Sequence, residues 1–150
     1  MIDLREIERR VLEGEELEDI LSEYEWKDFE HLVAYILERH EFQTFTNYRF
    51  KTDRKFEIDV IAVKENIVLV IECKMWSRGR YKLSALKQVA KVHLEKLNEL
   101  KKFNPFFIQG KKVIPLVVTL FEEGIVEHEK VIFVPLWKLN TFLLNLWEFL

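Results

Sequence analysis

The alternation of apolar and polar positions along the chain predicts four helices and five strands. Apolar residues recur every three or four positions in the predicted helices, at residues 3–22, 26–40, 84–102 and 135–150. β-branched and aromatic runs mark the predicted strands, at residues 41–53, 54–63, 67–76, 113–121 and 131–134. We expect Gly14 to break or kink the first helix. The pattern is typical of an α/β fold, in which helices flank a central sheet.

Three ionisable side chains interrupt the apolar strands on either side of a polar turn. Asp59 lies in the first strand, and Glu72 and Lys74 lie in the second, where burial is costly unless something compensates it. A hairpin centred on Glu65-Asn66 places Asp59 opposite Glu72 and Glu57 opposite Lys74, all on one face of the sheet. Two opposed carboxylates require a cation between them or a shared proton.

A divalent cation beside a lysine would resolve this conflict. Mg²⁺ is usually held by one or two carboxylates together with water. Lys74 follows Glu72 by two residues and adds a positive charge on the same face. A metal ion and an ammonium group together suit phosphodiester hydrolysis, because the transition state gathers negative charge on the phosphate oxygens.

The spacing of these residues resembles the signature of the PD-(D/E)xK nuclease superfamily. In this sequence Asp59 is followed by twelve residues and then by Glu72-Cys73-Lys74, although Ile58 stands where the signature often has proline. The superfamily includes type II restriction enzymes, Mrr-type endonucleases and archaeal Holliday-junction resolvases. The resemblance implies that Asp59 and Glu72 ligate Mg²⁺, with Mn²⁺ as a substitute, and that Lys74 stabilises the transition state or helps to generate the attacking hydroxide.

The resemblance also implies a fold and two further site residues. It predicts a restriction-endonuclease-like α-β-β-β-α-β core over residues 24–150, in a single domain whose accessory helical segment is 1–22. Glu30, in the helix before the strands, matches an extra metal-site acid of Mrr-like and resolvase-like relatives; the alternative is a surface-bordering glutamate. Gln88 is the glutamine that the long helix could bring to the site, although it lies opposite the apolar stripe. Glu57 is either a further metal ligand or a salt-bridge partner of Lys74.

Charge is distributed unevenly along the chain. Residues 1–41 carry 5 Lys and Arg against 14 Asp and Glu, residues 42–112 carry 16 against 7, and residues 113–150 carry 2 against 5. The basic middle segment predicts a nucleic-acid partner, duplex or branched DNA, with RNA an open alternative. The predicted phosphate contacts are Arg49, Lys51, Arg54 and Lys55 near the first strand's exit, and Arg78, Arg80 and Lys82 in the loop after Trp76. Edge protection of the sheet is the alternative for the first four.

Other features set the protein's class. A single cysteine excludes an intrachain disulfide, and both Cys73 and His93 are expected in the core, the histidine hydrogen-bonded. The N-terminus does not resemble a signal peptide and no apolar run is long enough for a membrane span, which predicts a cytoplasmic protein. The last helix is apolar nearly all round, so we expect it in the core or in a homodimer contact.

These patterns together predict a metal-dependent DNA endonuclease, either restriction-type (Mrr-like) or junction-resolving. A non-catalytic DNA-binding or assembly module that retains the nuclease fold is the alternative, and it predicts an incomplete site. An RNA-directed nuclease also fits the residues.

Overall fold

The computed structural model describes residues 3–75, 83–120 and 126–149. Its α-helices are α1 (Leu4–Leu12), α2 (Leu17–Leu21), α3 (Trp26–Arg39), α4 (Leu83–Phe103) and α5 (Leu139–Leu144). Its strands are β1 (Gln43–Lys51), β2 (Lys55–Lys64), β3 (Ile67–Lys74), β4 (Lys112–Thr119), β5 (Glu127–His128) and β6 (Val131–Pro135). Short 3-10 turns cover Phe106–Ile108, Leu136–Lys138 and Leu146–Phe149.

The strands form one mixed sheet in the order β1-β2-β3-β4-β6-β5. Strands β1, β2 and β3 are antiparallel neighbours, whereas β4 runs parallel to β3 and β6 runs parallel to β4. The connection from β3 through α4 to β4 is therefore a crossover, as parallel neighbours require. This order confirms the predicted α-β-β-β-α-β core with extra helices at both ends.

The predicted hairpin register is confirmed in the apolar part of β2 and β3. Val63 pairs with Val68 and Ile61 pairs with Val70, so the turn is centred on Glu65-Asn66. Glu65 has φ of 52°, a left-handed conformation that a tight turn requires and that glycine usually supplies.

Helices cover both faces of the sheet. One face carries a core shared by α1, α2, α3 and α5, with residues such as Phe29, Leu69 and Leu139 in one cluster. The other face packs against α4, whose Leu97 and Leu100 share a cluster with residues of β2 and β3. Because β3 is buried on both faces, its apolar residues run continuously and do not alternate with polar ones.

Two terminal segments differ from the predicted helices. The segment 3–22 forms two helices separated near Gly14, whose φ of 99° ends the first one, as its position predicted. The C-terminal segment is a six-residue helix between 3-10 turns, and its burial is one-sided. Trp137, Leu144 and Trp147 are 50%, 66% and 62% exposed, so the segment does not lie wholly in the core, and the alternative of a homodimer contact stays a prediction.

Two further differences concern short elements. Sequence patterns missed β5, because two residues are too few for a periodic signal. The last residue of the strand predicted at 113–121 lies outside the described residues. Within the described segments, no helix is long and apolar enough to cross a membrane.

Candidate active site

The pairing of β2 with β3 stops where the predicted acidic residues lie. Val60 and Ile71 are the last residues paired at this end. Two residues further along β3, the N–H of Cys73 donates to Oδ2 of Asp59 at 2.8 Å. A side-chain carboxylate thus serves as the acceptor for a strand amide, and it holds Asp59 against β3 with only 4% of the residue exposed.

The same position disturbs β1 and β2. Asn47 has φ of 52° inside β1, and the pairs on either side of it are Thr46 with Val60 and Tyr48 with Ile58. Ile58 and Ile61 belong to the same buried cluster although they are three residues apart, so strict alternation fails between them. The prediction that residues 57, 59 and 61 lie on one face of the sheet is therefore wrong.

Glu57 has a different partner from the one predicted. Its Oε1 lies 2.8 Å from Nε of Arg49, the residue paired with it across β1 and β2. Lys74 instead lies 3.6 Å from Glu72. The pairing of Glu57 with Lys74 is wrong because the break at Asp59 reverses the faces of the residues beyond it.

Glu30 lies deeper than its position on the helix suggested. It is fully buried in α3, next to Phe29 in sequence, and not at the border of the apolar surface. Its Oε1 accepts a hydrogen bond from Nδ2 of Asn47 at 3.3 Å. Its Oε2 is buried and has no hydrogen-bond partner among the described residues. A buried carboxylate oxygen without a partner is costly, which is typical of a group that binds a cation or a proton.

Electrostatics links Glu30 to the residues at the end of the strands. Burial raises the pKa of Asp59, and the nearby Glu72 carboxylate raises it further. The Cys73 N–H opposes this rise by stabilising the ionised form, and Glu30 again favours the neutral form. The result is an Asp59 pKa of about 7. The structure therefore brings Glu72 and Glu30 close enough to Asp59 to disfavour its ionised form.

Glu72 is surrounded by basic groups. Its side chain is 12% exposed, and Nζ of Lys74 lies 3.6 Å from its Oε1. On the other side, Nζ of Lys96 lies 3.3 Å and Nδ1 of His93 lies 3.8 Å from its Oε2. Sequence patterns did not predict Lys96 as a site residue, because it does not belong to the buried stripe of α4. Its sequence signal is its spacing of three residues from His93, which puts both on one helix face.

His93 is a core residue, as predicted, but it also borders the site. Its Nε2 lies 2.9 Å from the carbonyl oxygen of Val70, which can only accept a hydrogen bond. The neutral ring therefore carries its proton on Nε2, and burial favours this neutral form by lowering the His93 pKa. The unprotonated Nδ1 is buried without a hydrogen-bond partner in the described residues and faces Glu72. Cys73, also buried as predicted, has its pKa raised by burial and is not a nucleophile.

A cleft of about 390 Å³ gives access to the end of β3. It is lined by Ser22, Tyr24, Trp26, Glu72, Cys73, Lys74 and Met75. Nε1 of Trp26 donates to the carbonyl oxygen of Cys73 at 3.4 Å, which fixes the start of α3 against β3. A substrate in this cleft would meet both Glu72 and Lys74.

The donor set suits a hard divalent cation in kind. Glu30, Asp59 and Glu72 offer the carboxylate oxygens that Mg²⁺ prefers, and one of these oxygens is buried without a partner. No three His, Cys, Asp or Glu side chains of the described segments are already arranged around a common ion position. Instead, Oε2 of Glu72 lies toward Lys96. The residues fit the ion by the chemistry of their donors and by burial, and not by their present arrangement.

Four of the predicted phosphate contacts lie together. Arg49, Lys51, Arg54 and Lys55 lie at the closed end of the β1–β2 hairpin, beyond Asp59. Here the guanidinium of Arg54 lies 4.9 Å from the centre of the Phe56 ring, and Arg49 pairs with Glu57. A groove of about 640 Å³ is lined by Arg49, Phe50, Lys51, Lys55, Phe56 and Glu57.

Of the remaining predicted residues, the structure places Gln88 alone. Arg78, Arg80 and Lys82 lie outside the described residues. Gln88 is exposed on α4, whereas the neighbouring Leu86 and Ala90 are buried, so its side chain lies off the packed stripe of the helix.

Comparison with known proteins gives a family match and several fold matches. The family model described as "Nuclease-related domain" (NERD) matches residues 25–120. An uncharacterized protein of Archaeoglobus fulgidus is 36% identical over 122 residues, which cover 81% of this chain and 91% of that protein.

Two solved structures are similar in shape. The protein of unknown function AF1548 has a TM-score of 0.55 at 22% identity, with 79% of this chain and 65% of that chain covered. This similarity supports the fold alone. The protein VC1899 from Vibrio cholerae has a TM-score of 0.47 at 17% identity, covering 82% of this chain and 33% of that one.

The raised pKa of Asp59 predicts a specific dependence of stability on pH. The folded protein holds the Asp59 proton more tightly than the unfolded chain, with a pKa of about 7 against an ordinary 3.8. This contribution to stability is complete below the lower value and is lost as the pH rises through the higher one. From about pH 5 to about pH 8, wild type should lose roughly 1–3 kcal/mol more unfolding free energy than Asp59→Asn.

Urea unfolding in the presence of EDTA measures this difference. Asparagine is the matched variant because it keeps an oxygen that can accept the Cys73 N–H but cannot ionise. If the unfolding free energies of the two proteins change with pH in the same way, the pKa of Asp59 is not raised in the folded protein.

Proposed function

Since the chain belongs to the nuclease-related domain family, we propose that it is a metal-dependent nuclease that hydrolyses phosphodiester bonds in DNA. The family is part of the restriction-endonuclease-like PD-(D/E)xK superfamily, so the resemblance found in the sequence is confirmed. The observation that carries the proposal is the meeting of Asp59, Glu72 and Glu30 at the end of β3, beside a cleft that also contains Lys74.

Each acidic residue has a defined part in this proposal. Asp59, Glu72 and Glu30 would hold Mg²⁺, or Mn²⁺ in its place, and the bound ion would supply positive charge to the phosphate and acidify a water molecule. The Cys73 N–H orients Asp59 and the Asn47 amide orients Glu30, so two of the three carboxylates are held before any substrate arrives. Such preorganisation lowers the cost of assembling the site.

Lys74 provides the remaining charge. Its Nζ lies 3.6 Å from Glu72 and its side chain lines the cleft, so a phosphate bound there would lie near its ammonium group. In the reaction a water oxygen forms a bond to phosphorus and one phosphorus–oxygen ester bond breaks. The products are a phosphomonoester end and a free hydroxyl end. Positive charge from Lys74 stabilises the phosphate oxygens as negative charge builds on them.

The basic end of the β1–β2 hairpin is proposed to contact the nucleic-acid backbone. Lys51 and Lys55 are exposed there, and they line the groove next to the Arg49–Glu57 pair. Backbone phosphates bind such cations without regard to sequence, which positions a duplex relative to the cleavage site. Restriction-type and junction-resolving activity both remain within this proposal, as does cleavage of RNA. The arginines and lysine of the loop after Trp76 stay predicted contacts.

A non-catalytic nucleic-acid-binding or assembly module is the competing function. Such a module has no need for a complete acidic site with an adjacent lysine. The presence of Asp59, Glu72 and Lys74 favours the enzyme, and specific metal binding that depends on Asp59 would distinguish the two.

The exposed aromatic residues of the C-terminal segment support a proposed homodimer. Trp137, Leu144 and Trp147 are large apolar residues on the surface of one short segment. Large exposed apolar groups in close succession are more typical of interfaces than of monomer surfaces.

Substitution of the core site residues tests the proposed activity. Asp59→Asn, Glu72→Gln and Lys74→Ala should each lower Mg²⁺-dependent cleavage by at least about a hundredfold, because each removes a charge acting on the transition state. Cleavage is measured on duplex, single-stranded, four-way-junction and RNA substrates, which also identifies the preferred nucleic acid.

Lys112→Ala is a suitable control for these variants. Lys112 pairs with Ile67 at the opposite end of the β3–β4 ladder from Lys74, and it is exposed. Full cleavage by any of the three folded site variants would contradict the proposal. Failure of wild type to cut any substrate with Mg²⁺ or Mn²⁺ would favour the non-catalytic module.

Charge reversal at the hairpin tests the proposed phosphate contacts. Lys51→Glu combined with Lys55→Glu, in the Asp59→Asn background, should weaken duplex binding by about tenfold and reduce the slope of log affinity against log salt by about 2. Fluorescence anisotropy measures both. Lys111→Glu combined with Lys112→Glu makes the same charge change elsewhere and should have a smaller effect. Aggregation of the hairpin variant with unchanged affinity would instead indicate edge protection.

Light scattering tests the proposed homodimer. Wild type should have about twice the chain mass of 18.2 kDa, whereas Trp147→Glu should approach 18.2 kDa because it buries a charge in the interface. Wild type at the mass of one chain, at concentrations of roughly 100 µM, would rule out a stable dimer.

A further inference from the structure

A second lysine contacts the acidic site from the opposite side to Lys74. Nζ of Lys96 lies 3.3 Å from Oε2 of Glu72, within hydrogen-bonding distance, whereas Lys74 lies near Oε1. Lys96 is not part of the Asp59, Glu72, Lys74 pattern. It reaches the site from α4, on the other side of the sheet from α3, which carries Glu30.

The position of Lys96 is set by the core and not by a mobile surface contact. Ala90, His93, Leu97 and Leu100 are buried along α4. His93 fixes the helix to β3 through its hydrogen bond to the Val70 carbonyl, and Lys96 follows one turn later on the same face. The side chains of Lys96 and Glu72 are 23% and 12% exposed, so their attraction is only partly screened by water.

This contact competes with metal binding. The contact of Lys96 engages Oε2 of Glu72, one of the two carboxylate oxygens of this residue that can ligate a metal ion. An ammonium group and a divalent cation repel each other. Binding of the ion through Oε2 of Glu72 therefore requires Lys96 to give up its contact.

The chemistry of lysine suits a transfer of this kind. Its ammonium is a compact charge on a flexible stem with three donors, so it can exchange one anionic oxygen for another a few ångströms away. Glu72 lines the cleft in which the proposed function puts the scissile phosphate. Once the ion neutralises the charge of Glu72, the phosphate oxygens of the proposed complex are anions that Lys96 can contact in its place.

We propose that Lys96 is a second lysine of the active site, which competes with the metal ion for Glu72 and, once displaced, contacts a phosphate oxygen of the bound nucleic acid. This inference rests on the proposed nuclease function. It assigns the site one lysine from β3 and one from α4. Lys96 thereby couples metal binding to substrate binding, because the ion releases the cation that the substrate then uses.

Metal affinity provides a test that does not depend on cleavage. Isothermal titration with MnCl₂ compares wild type, Lys96→Met, Lys96→Arg and Lys91→Met, with folding of each checked by thermal unfolding. Lys96→Met should bind Mn²⁺ about tenfold more tightly, because both the competitor and a repelling charge are removed. Lys96→Arg keeps the charge and should resemble wild type. Lys91, exposed on α4, is the matched control and its variant should bind as wild type does.

Nucleic-acid affinity provides the second half of the test. In CaCl₂, an ion used here to limit cleavage, Lys96→Met should bind a duplex oligonucleotide about tenfold more weakly by fluorescence anisotropy, whereas Lys91→Met should change binding less. Substitution of a residue that only supports the fold would not raise the affinity for Mn²⁺ and at the same time lower the affinity for the oligonucleotide.

The outcomes distinguish a failure of the role proposed for Lys96 from a failure of the proposed nuclease function. Unchanged or weaker Mn²⁺ binding by a folded Lys96→Met variant would overturn the role of Lys96, and so would unchanged oligonucleotide affinity. If Asp59→Asn abolishes cleavage in the same series, the proposed nuclease function stands even when the proposed role of Lys96 is overturned. If Asp59→Asn cleaves as wild type does, the nuclease assignment fails whatever the result for Lys96.

Discussion

Repulsion among buried carboxylates is the constraint on which the site depends. Asp59, Glu72 and Glu30 come from two strands and a helix, and Asp59 is costly to ionise beside the other two in a region with little water. Local bonds offset part of this cost, such as the Cys73 N–H that donates to Asp59 and the lysines that contact Glu72. They do not cancel it, because the pKa of Asp59 still rises to about 7. A cation bound as proposed would relieve the remainder.

The free-energy cost of burying these carboxylates is confined to one end of the sheet. The middle of β3 is apolar on both faces, and its residues from Ile67 to Ile71 are buried. The acids begin where pairing with β2 ends, so a side chain can accept a strand amide without breaking the ladder that stabilises the core. The left-handed Asn47 allows β1 to follow the same distortion, and its side chain contacts Glu30. The rigid part of the sheet therefore positions the site, and its irregular end supplies the groups.

Local patterns were sufficient for most of the architecture and for the centre of the site. Helical spacing predicted α3 and α4 nearly to their ends, because an amphipathic helix buries one face and repeats that pattern over many residues. The hairpin register followed from the position of its polar turn. Asp59, Glu72 and Lys74 could be singled out because charge inside an apolar strand conflicts with burial, and that conflict is visible without coordinates.

What sequence alone determined was therefore the order of elements, the hairpin register and the residues whose charge is out of place. Tertiary structure alone decided which groups meet. The alternation rule failed at Asp59 because a side-chain bond and the φ of Asn47 rotate the backbone, so Glu57 pairs with Arg49 and not with Lys74. Contacts such as that of Lys96 with Glu72 join residues far apart in the chain. No local period encodes such a contact, because it arises only when α4 packs across the sheet.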